Sequence, residues 1–253
     1  MTVWYLIEFG TFPGVENMAI DMAMMDIARK KSIPVLRFYS WEPATLSLGR
    51  FQKLEDIDLE KVKKLGFDVV RRPSGGRAVL HYDELTYAVA FPESVVSSSV
   101  IRTYLEISKA LVTGLKALEV DAVLARERSK ERYTSFAACF ATTSLHEVKV
   151  GGRKLIGSAQ VRSNGAVLQH GSIPLKSHIE EYVESFVLSQ EESQRLKFLL
   201  NKRTTCILDH VETNMNEVFK ALLHGFKETF NIDFALFREK VDFERYIEDV
   251  KIC

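Results

Sequence analysis

The clearest local structure in the sequence lies in residues 146–175, which read HEVKVGGRKLIGSAQVRSNGAVLQHGSIPL. Two dipeptides in this stretch, Gly151-Gly152 and Asn164-Gly165, are typical of two-residue hairpin turns of the primed type, in which both residues adopt positive φ. Apolar and β-branched residues occupy the segments on either side of each turn. The stretch therefore predicts a three-stranded antiparallel meander.

A regular register would give this meander one mixed polar face and one apolar face. The mixed face would carry Lys154, Ile156, Ser158, Gln160 and Gln169, and the apolar face would carry Leu155, Ala159, Val161 and Leu168. Such a division is expected when one side of a sheet borders a site and the other packs on a core.

Strands and helices also mix irregularly along the rest of the chain. Strand patterns cover residues 35–41, 44–48, 67–72, 78–81 and 85–91, with a further short strand near Val123. Helices begin near Gly14, Asp58 and Ser98 or Ser99, and Ser189 with Glu192 predicts a capping box at a further one. The buried face predicted for the first helix consists of Val15, Met18, Met22 and Met25. Because no βαβ repeat is present, the pattern indicates an α+β fold. We expect one domain over residues 1–253, of which residues 177–253 form a mainly helical C-terminal part. The polar stretch Arg126–Ser135 is a candidate lid.

The composition of the 253 residues is that of an ordinary globular protein. Hydrophobic residues make up 46%, and 34 basic side chains balance 34 acidic ones, so neither nucleic acid nor a membrane surface is expected as the partner. The N-terminus lacks a signal-peptide pattern, and three scattered cysteines are too few for a disulfide framework or a zinc site. We expect a cytoplasmic protein with reduced thiols. No metal site is predicted, since the six histidines are dispersed.

A second informative segment is residues 71–81, which read RRPSGGRAVLH. Adjacent glycines, Gly75 and Gly76, allow the backbone to approach a ligand closely, and successive amide N–H groups can form a concave anion site. The arginines beside them would complement a phosphate or a carboxylate. The spacing excludes a P-loop and a dinucleotide fingerprint. On pattern alone, a glycine turn between two strands with exposed arginines is an equally good interpretation.

Five ordered segments resemble those of one known group of enzymes. They are residues 17–21 (NMAID), 36–41 (LRFYSW), 71–81, 152–160 (GRKLIGSAQ) and 168–173 (LQHGSI). Together they resemble the lipoate-protein ligase and octanoyltransferase superfamily. The resemblance implies a catalytic domain with a mixed, largely antiparallel sheet, like that of biotin protein ligases and class II aminoacyl-tRNA synthetases.

The resemblance also implies residue roles. The acyl- and substrate-binding positions would be Arg72, Ser74, Gly75, Gly76, His81, Gly157, Ser158, Ala159, His170 and Gly171. Lys154 would place its ammonium at the carbonyl end of the acyl group, where a fixed cation stabilises the negative charge of the acyl-transfer transition state. Without the resemblance, a solvated charge at a strand edge is the more common role for such a lysine.

Residues 138–148, ACFATTSLHEV, resemble the cysteine segment of the octanoyltransferase branch. That branch usually has proline where Thr143 stands and tyrosine where His146 stands. Cys139 would then be the nucleophile, made reactive by a nearby cation, with Lys154 as the obvious one and His146 or His81 as alternatives. Any lone cysteine is otherwise more often an inert buried thiol. Cys206 and Cys253 are interpreted as structural or incidental.

The leading hypothesis is an acyltransferase that moves octanoyl from acyl carrier protein, through a thioester on Cys139, to a lysine of a lipoyl domain or of the glycine-cleavage H protein. Such an enzyme requires no cofactor. One alternative is an ATP-dependent lipoate ligase, which would need ATP and magnesium but no cysteine. An amidotransferase acting between carrier domains and a non-catalytic acyl- or carrier-binding protein also remain open.

Overall fold

An eight-stranded mixed sheet forms the centre of the protein. The computed structural model describes residues 2–125 and 147–252. Within them the strands are β1 (Thr2–Phe12), β2 (Val35–Trp41), β3 (Thr45–Leu48), β4 (Asp68–Arg71), β5 (Val79–His81), β6 (Glu84–Pro92), β7 (Ala122–Leu124), β8 (Val148–Val150), β9 (Arg153–Ser163), β10 (Ala166–Pro174) and β11 (Ile232–Leu236). The α-helices are α1 (Gly14–Lys31), α2 (Leu59–Lys64), α3 (Val100–Ala117), α4 (Ile179–Glu184), α5 (Gln190–Arg203), α6 (Met215–Phe230) and α7 (Ile247–Val250).

The large sheet has the strand order β11-β1-β2-β6-β10-β9-β8-β7. The pairs β11–β1 and β1–β2 are parallel, and all later pairs are antiparallel. A smaller sheet has the order β4-β3-β5. The predicted α+β class with a mixed, largely antiparallel sheet is confirmed.

Helices cover both faces of the large sheet. On one face, Phe38 of β2 and Tyr87 of β6 share a core cluster with residues of α3 and α6. On the other face, Tyr39 of β2 shares a second cluster with Met18 and Met24 of α1. Adjacent residues of one strand thus enter different cores because strand side chains alternate between faces. The small sheet packs with α2, α4 and α5 in a third cluster.

The helix ends follow the predicted capping signals. The Ser99 side chain accepts from the Arg102 amide at the start of α3, and Ser189 with Glu192 forms a capping box on α5. At α1 the predicted buried stripe is partly wrong, since Val15, Met22 and Met25 are only half-buried. Small residues and two polar side chains, Asn17 and Asp21, occupy the buried face instead.

The predicted meander is confirmed, but its regular register is wrong. Strands β8, β9 and β10 pair antiparallel, and both residues of each predicted turn have positive φ. A bulge separates two pairs of the β8–β9 ladder, however: Lys154 lies opposite Lys149, and Ile156 lies opposite Val148. Because the extra residue reverses the alternation, Lys154 and Ile156 point to opposite faces. Ile156 joins the core, and Lys154 faces away from it.

Among the described helices, none combines the length and the apolar composition that crossing a bilayer would require.

Candidate active site

A cavity of about 460 Å³ opens on the α1 side of β9 and β10 and extends to the loop between β4 and β5. The segments that the sequence analysis singled out meet around it. Ten predicted site residues line the cavity, namely Arg72, Gly75, Gly76, His81, Lys154, Gly157, Ser158, Ala159, His170 and Gly171. Ser74 lies directly behind the lining. Cys139, His146 and the predicted lid Arg126–Ser135 lie outside the described residues.

The two glycines of the β4–β5 loop, Gly75 and Gly76, are required for different structural reasons. Gly76 has a φ of 96°, which side chains rarely adopt. Its carbonyl oxygen also lies so close to Gly49 that a Cβ on Gly49 would come within 1.9 Å of it. Gly75 has no positive φ, and a Cβ added there meets no atom of residues 2–125 and 147–252 within 4 Å. Gly75 is therefore the position at which a ligand can approach the bare backbone.

The arginines beside this loop hold its backbone. The buried guanidinium of Arg72 donates to the carbonyl oxygens of Ser47 at 2.9 Å, Gly75 at 2.9 Å and Arg77 at 2.7 Å. Arg71 donates in the same way to the carbonyl oxygen of Gly49 at 2.9 Å. These contacts fix the shape of the loop, in addition to any role that Arg72 has toward a ligand.

A buried hydrogen-bond chain ties the same loop to the large sheet and to α1. The Ser74 hydroxyl lies 2.5 Å from Nε2 of His170, and Nδ1 of His170 lies 2.8 Å from a carboxylate oxygen of Asp21. Tyr39 also donates to Asp21, and burial together with the Asp21 charge raises the pKa of Tyr39 well above its ordinary value. The sequence revealed no Ser-His-Asp arrangement because its members come from three distant segments. Ser74 is fully buried and is absent from the cavity lining, so this series of hydrogen bonds positions the loop.

A second polar network surrounds His81. Its Nδ1 lies 2.7 Å from Glu84, its Nε2 lies 2.8 Å from the Ser47 hydroxyl, and its ring stacks on Trp41 at 4.0 Å between centroids. Glu84 also accepts hydrogen bonds from Thr86 and Ser172. His81 and Glu84 are three residues apart, so the sequence contained a signal for this pair, although the sequence pattern was not interpreted in this way.

Lys154 forms a buried ion pair with Glu147. Nζ of Lys154 lies 2.8 Å from Oε1 of Glu147, and the side chains are only 3% and 4% exposed. The backbone carbonyl of Lys154 also accepts a hydrogen bond from the Thr205 amide at 3.0 Å, which fixes the backbone at Lys154. The sequence analysis did not identify Glu147. The sequence did contain a signal for it, because Glu147 and Lys154 lie on opposite sides of the predicted Gly151-Gly152 hairpin turn.

Apolar side chains complete the cavity wall. Met18, Tyr39, Trp41 and Val79 line it, and all four are buried. The cavity lining therefore combines apolar side chains with charged ones, among them Lys154 and its carboxylate partner Glu147. A pocket of this size with a few convergent polar groups is typical of a site for a small organic ligand.

A family model described as the lipoyl protein ligase A/B catalytic domain matches residues 13–227 of the chain. The chain belongs to this family. The match includes every residue that lines the cavity.

Curated relatives match almost the whole chain. An octanoyltransferase LipM from Carboxydothermus hydrogenoformans is 41% identical over 241 residues, which cover 92% of this chain and 89% of the relative. An octanoyltransferase LipM from Staphylococcus epidermidis is 40% identical over 244 residues, which cover 92% and 88%.

Solved structures of the family share the fold. A bipartite lipoate protein ligase from Thermoplasma acidophilum superimposes with a TM-score of 0.82 at 23% identity, over 98% of this chain and 92% of that one. A lipoate-protein ligase A bound with ATP gives a TM-score of 0.78 at 23% identity, over 98% and 94%.

Proposed function

We propose that this family member is an octanoyltransferase of protein lipoylation. It takes octanoyl from the thioester of an acyl carrier protein and transfers it to a lysine of a lipoyl domain or of the glycine-cleavage H protein. Relatives named as octanoyltransferases, at about 40% identity over nine-tenths of the chain, support this activity. The donor and the choice of acceptor are part of the proposal.

The observation that carries the proposal is the position of Lys154. It brings a buried ammonium to a cavity whose wall also includes the side chains of Tyr39, Trp41 and Met18 and the open backbone at Gly75. When a nucleophile attacks an acyl group, the carbonyl oxygen gains negative charge, and a fixed cation in a dry site stabilises it strongly. The arrangement suits acyl transfer, because the buried ammonium of Lys154 can face the carbonyl oxygen as it gains charge.

The apolar wall suits the tail of the substrate. Burial of the roughly six methylenes of an octanoyl chain would contribute on the order of 4–5 kcal/mol, at about 0.8 kcal/mol per methylene. That contribution is large enough to dominate binding of the tail. Trp41 and Met18 are the apolar side chains that we assign to this role.

We assign the nucleophile to Cys139. A thiol exchanges with an acyl thioester at little energetic cost, so a transferase needs neither ATP nor magnesium. Cys206 is a poor candidate, because burial raises the pKa of its thiol and it lines a different cavity.

Omission of nucleotide tests the proposal. The purified protein should transfer octanoyl from octanoyl-acyl carrier protein to a lipoyl domain at full rate without ATP or magnesium. It should give no exchange of labelled pyrophosphate into ATP when free octanoate or lipoate is supplied. Lipoate-dependent exchange that persists in Cys139→Ala would instead identify an ATP-dependent ligase.

A further inference from the structure

Glu147 presents one buried carboxylate oxygen without a hydrogen-bond donor. Oε1 accepts from Lys154, whereas no donor of residues 2–125 and 147–252 reaches Oε2. The residue is 3% exposed and lines the cavity. A buried carboxylate oxygen nearly always has a partner, because leaving it unsatisfied costs free energy. The side chain is therefore suited to accept from an N–H group of a molecule bound in the cavity.

The other proton acceptors on the described cavity wall are already engaged. The imidazoles there are His81 and His170, and each has both ring nitrogens within hydrogen-bond distance of a neighbour. Glu147 is the carboxylate of that wall, and its Oε1 is taken by Lys154. Among the imidazoles and carboxylates of the wall that the structure describes, Oε2 of Glu147 is therefore the basic atom without a hydrogen-bond partner.

We propose that Glu147 is the general base for the acceptor lysine, an inference that rests on the proposed function. The neutral amine of that lysine attacks the carbonyl carbon of the acyl thioester, and a C–N bond forms. The tetrahedral adduct carries a positive nitrogen and a negative oxygen. Oε2 of Glu147 takes one proton from the nitrogen. The adduct then collapses, the C–S bond breaks, and the thiolate leaves and recovers the proton from Glu147 through solvent.

The ion pair matches both charges of this adduct. Lys154 provides the cation for the oxygen, and Glu147 provides the anion and proton acceptor for the nitrogen, while the 2.8 Å contact holds the two groups side by side. The first half-reaction, in which octanoyl moves from the acyl carrier protein to the enzyme, has no such need. The nucleophile there is a thiolate, which carries no proton to be removed after the attack. Glu147 should thus matter far more for transfer to the amine than for loading of the enzyme.

Glu147→Gln separates the two half-reactions. The amide keeps the size of the side chain and an oxygen that can accept from Lys154, but it is not a base. Loading by octanoyl-acyl carrier protein is followed by intact mass after rapid quenching. Transfer from preloaded enzyme to a lipoyl domain is followed in a single turnover. We expect the ratio of transfer rate to loading rate to fall about 10²-fold, a typical contribution of general base catalysis.

Glu147→Asp provides the matched variant, because it keeps the carboxylate and shortens its reach. It should transfer at least about tenfold faster than Glu147→Gln, a difference within the range of general base effects. Should Glu147→Gln not fold by circular dichroism, Glu147→Asp alone should still show slowing confined to transfer. Equal slowing of loading and transfer in either variant would assign Glu147 to positioning Lys154 and overturn the proposal. If the wild type neither loads nor transfers, the proposed function itself is wrong.

Discussion

At the scale of single residues, the buried contact between Lys154 and Glu147 dominates the chemistry of the cavity. Both side chains are almost fully removed from solvent. Two buried charges stabilise each other only as a pair, and removal of one leaves the other uncompensated. From the sequence without the resemblance, a solvated charge at a strand edge is the more common role for such a lysine. Its burial means that Lys154 contributes to stability as well as to the reaction.

Lys154→Ala should therefore have two effects. Octanoyl transfer should slow by at least about 10²-fold, because a stabiliser of the transition-state oxygen is lost. The free energy of unfolding should fall by roughly 3–5 kcal/mol, because Glu147 is left as an unpaired buried charge. Urea denaturation and a single-turnover transfer assay measure the two effects.

The double variant Lys154→Met with Glu147→Gln is the control. It removes both charges and should recover most of the lost stability while remaining inactive. If Lys154→Ala is as stable and as active as the wild type, Lys154 is a solvated charge at the strand edge and the prediction is wrong.

At the scale of elements, the loop between β4 and β5 acts as a rigid rim of the cavity. Arg72 holds its carbonyl groups, and Ser74 ties it through His170 to the sheet. Gly76 serves the conformation of the loop, whereas Gly75 keeps the backbone accessible. The two adjacent glycines should therefore respond differently to substitution.

Gly75→Val should fold normally and lose acyl loading, because a Cβ at this position meets no atom of the described residues and the new side chain would occupy the space of the acyl donor. Gly76→Val should lose stability by about 1–3 kcal/mol, because its positive φ becomes strained. Thermal unfolding and loading per folded molecule distinguish the two. If Gly75→Val loads octanoyl at the wild-type rate, the loop does not border the acyl donor.

The elements themselves were largely predictable from the sequence, for local reasons. Caps such as Ser99 and Ser189, and turns such as Asn164-Gly165, act through neighbouring residues only. The bulge in β9 was not predictable, because Leu155 and Ile156 are both apolar and nothing in their spacing marks an extra residue. The predicted shared face of Lys154 and Ser158 was wrong for this reason. Lys154 nevertheless reaches the cavity, since the bulge turns it toward the side of His170.

At the scale of the whole molecule, the site depends on residues that are far apart in the chain. Asp21, Ser74 and His170 form one hydrogen-bond chain. The motifs predicted which segments would meet, because each carried glycines or polar residues of its own. They did not predict partners such as Asp21 and Glu147, which look like ordinary charged residues until the sheet brings them together.

The core opposite the site depends on a close crossing of α3 and α6. A Cβ on Gly225 would come within 2.3 Å of the Ala110 carbonyl oxygen and 2.5 Å of the Gly114 amide nitrogen. Backbone cannot move aside as a flexible side chain can, so Gly225→Ala should destabilise the protein by about 1–3 kcal/mol. Activity per folded molecule should be unchanged, since neither helix lines the cavity.

Differential scanning calorimetry checks this prediction, with Lys220→Ala on the exposed side of α6 as the control. The melting temperature should fall clearly in Gly225→Ala and stay within about a degree in the control, because surface substitutions usually change stability little. An unchanged melting temperature in Gly225→Ala would mean that the two helices cross less closely in solution.

The central claim is that the acyl group passes through a thioester on Cys139, and intact mass spectrometry tests it most directly. Wild-type protein mixed with octanoyl-acyl carrier protein and quenched in acid should gain one octanoyl group. Cys206→Ala should gain the same adduct, because burial raises the pKa of the Cys206 thiol and keeps it unreactive. Cys139→Ala should gain none. An adduct that persists in Cys139→Ala and disappears in Cys206→Ala would contradict the account.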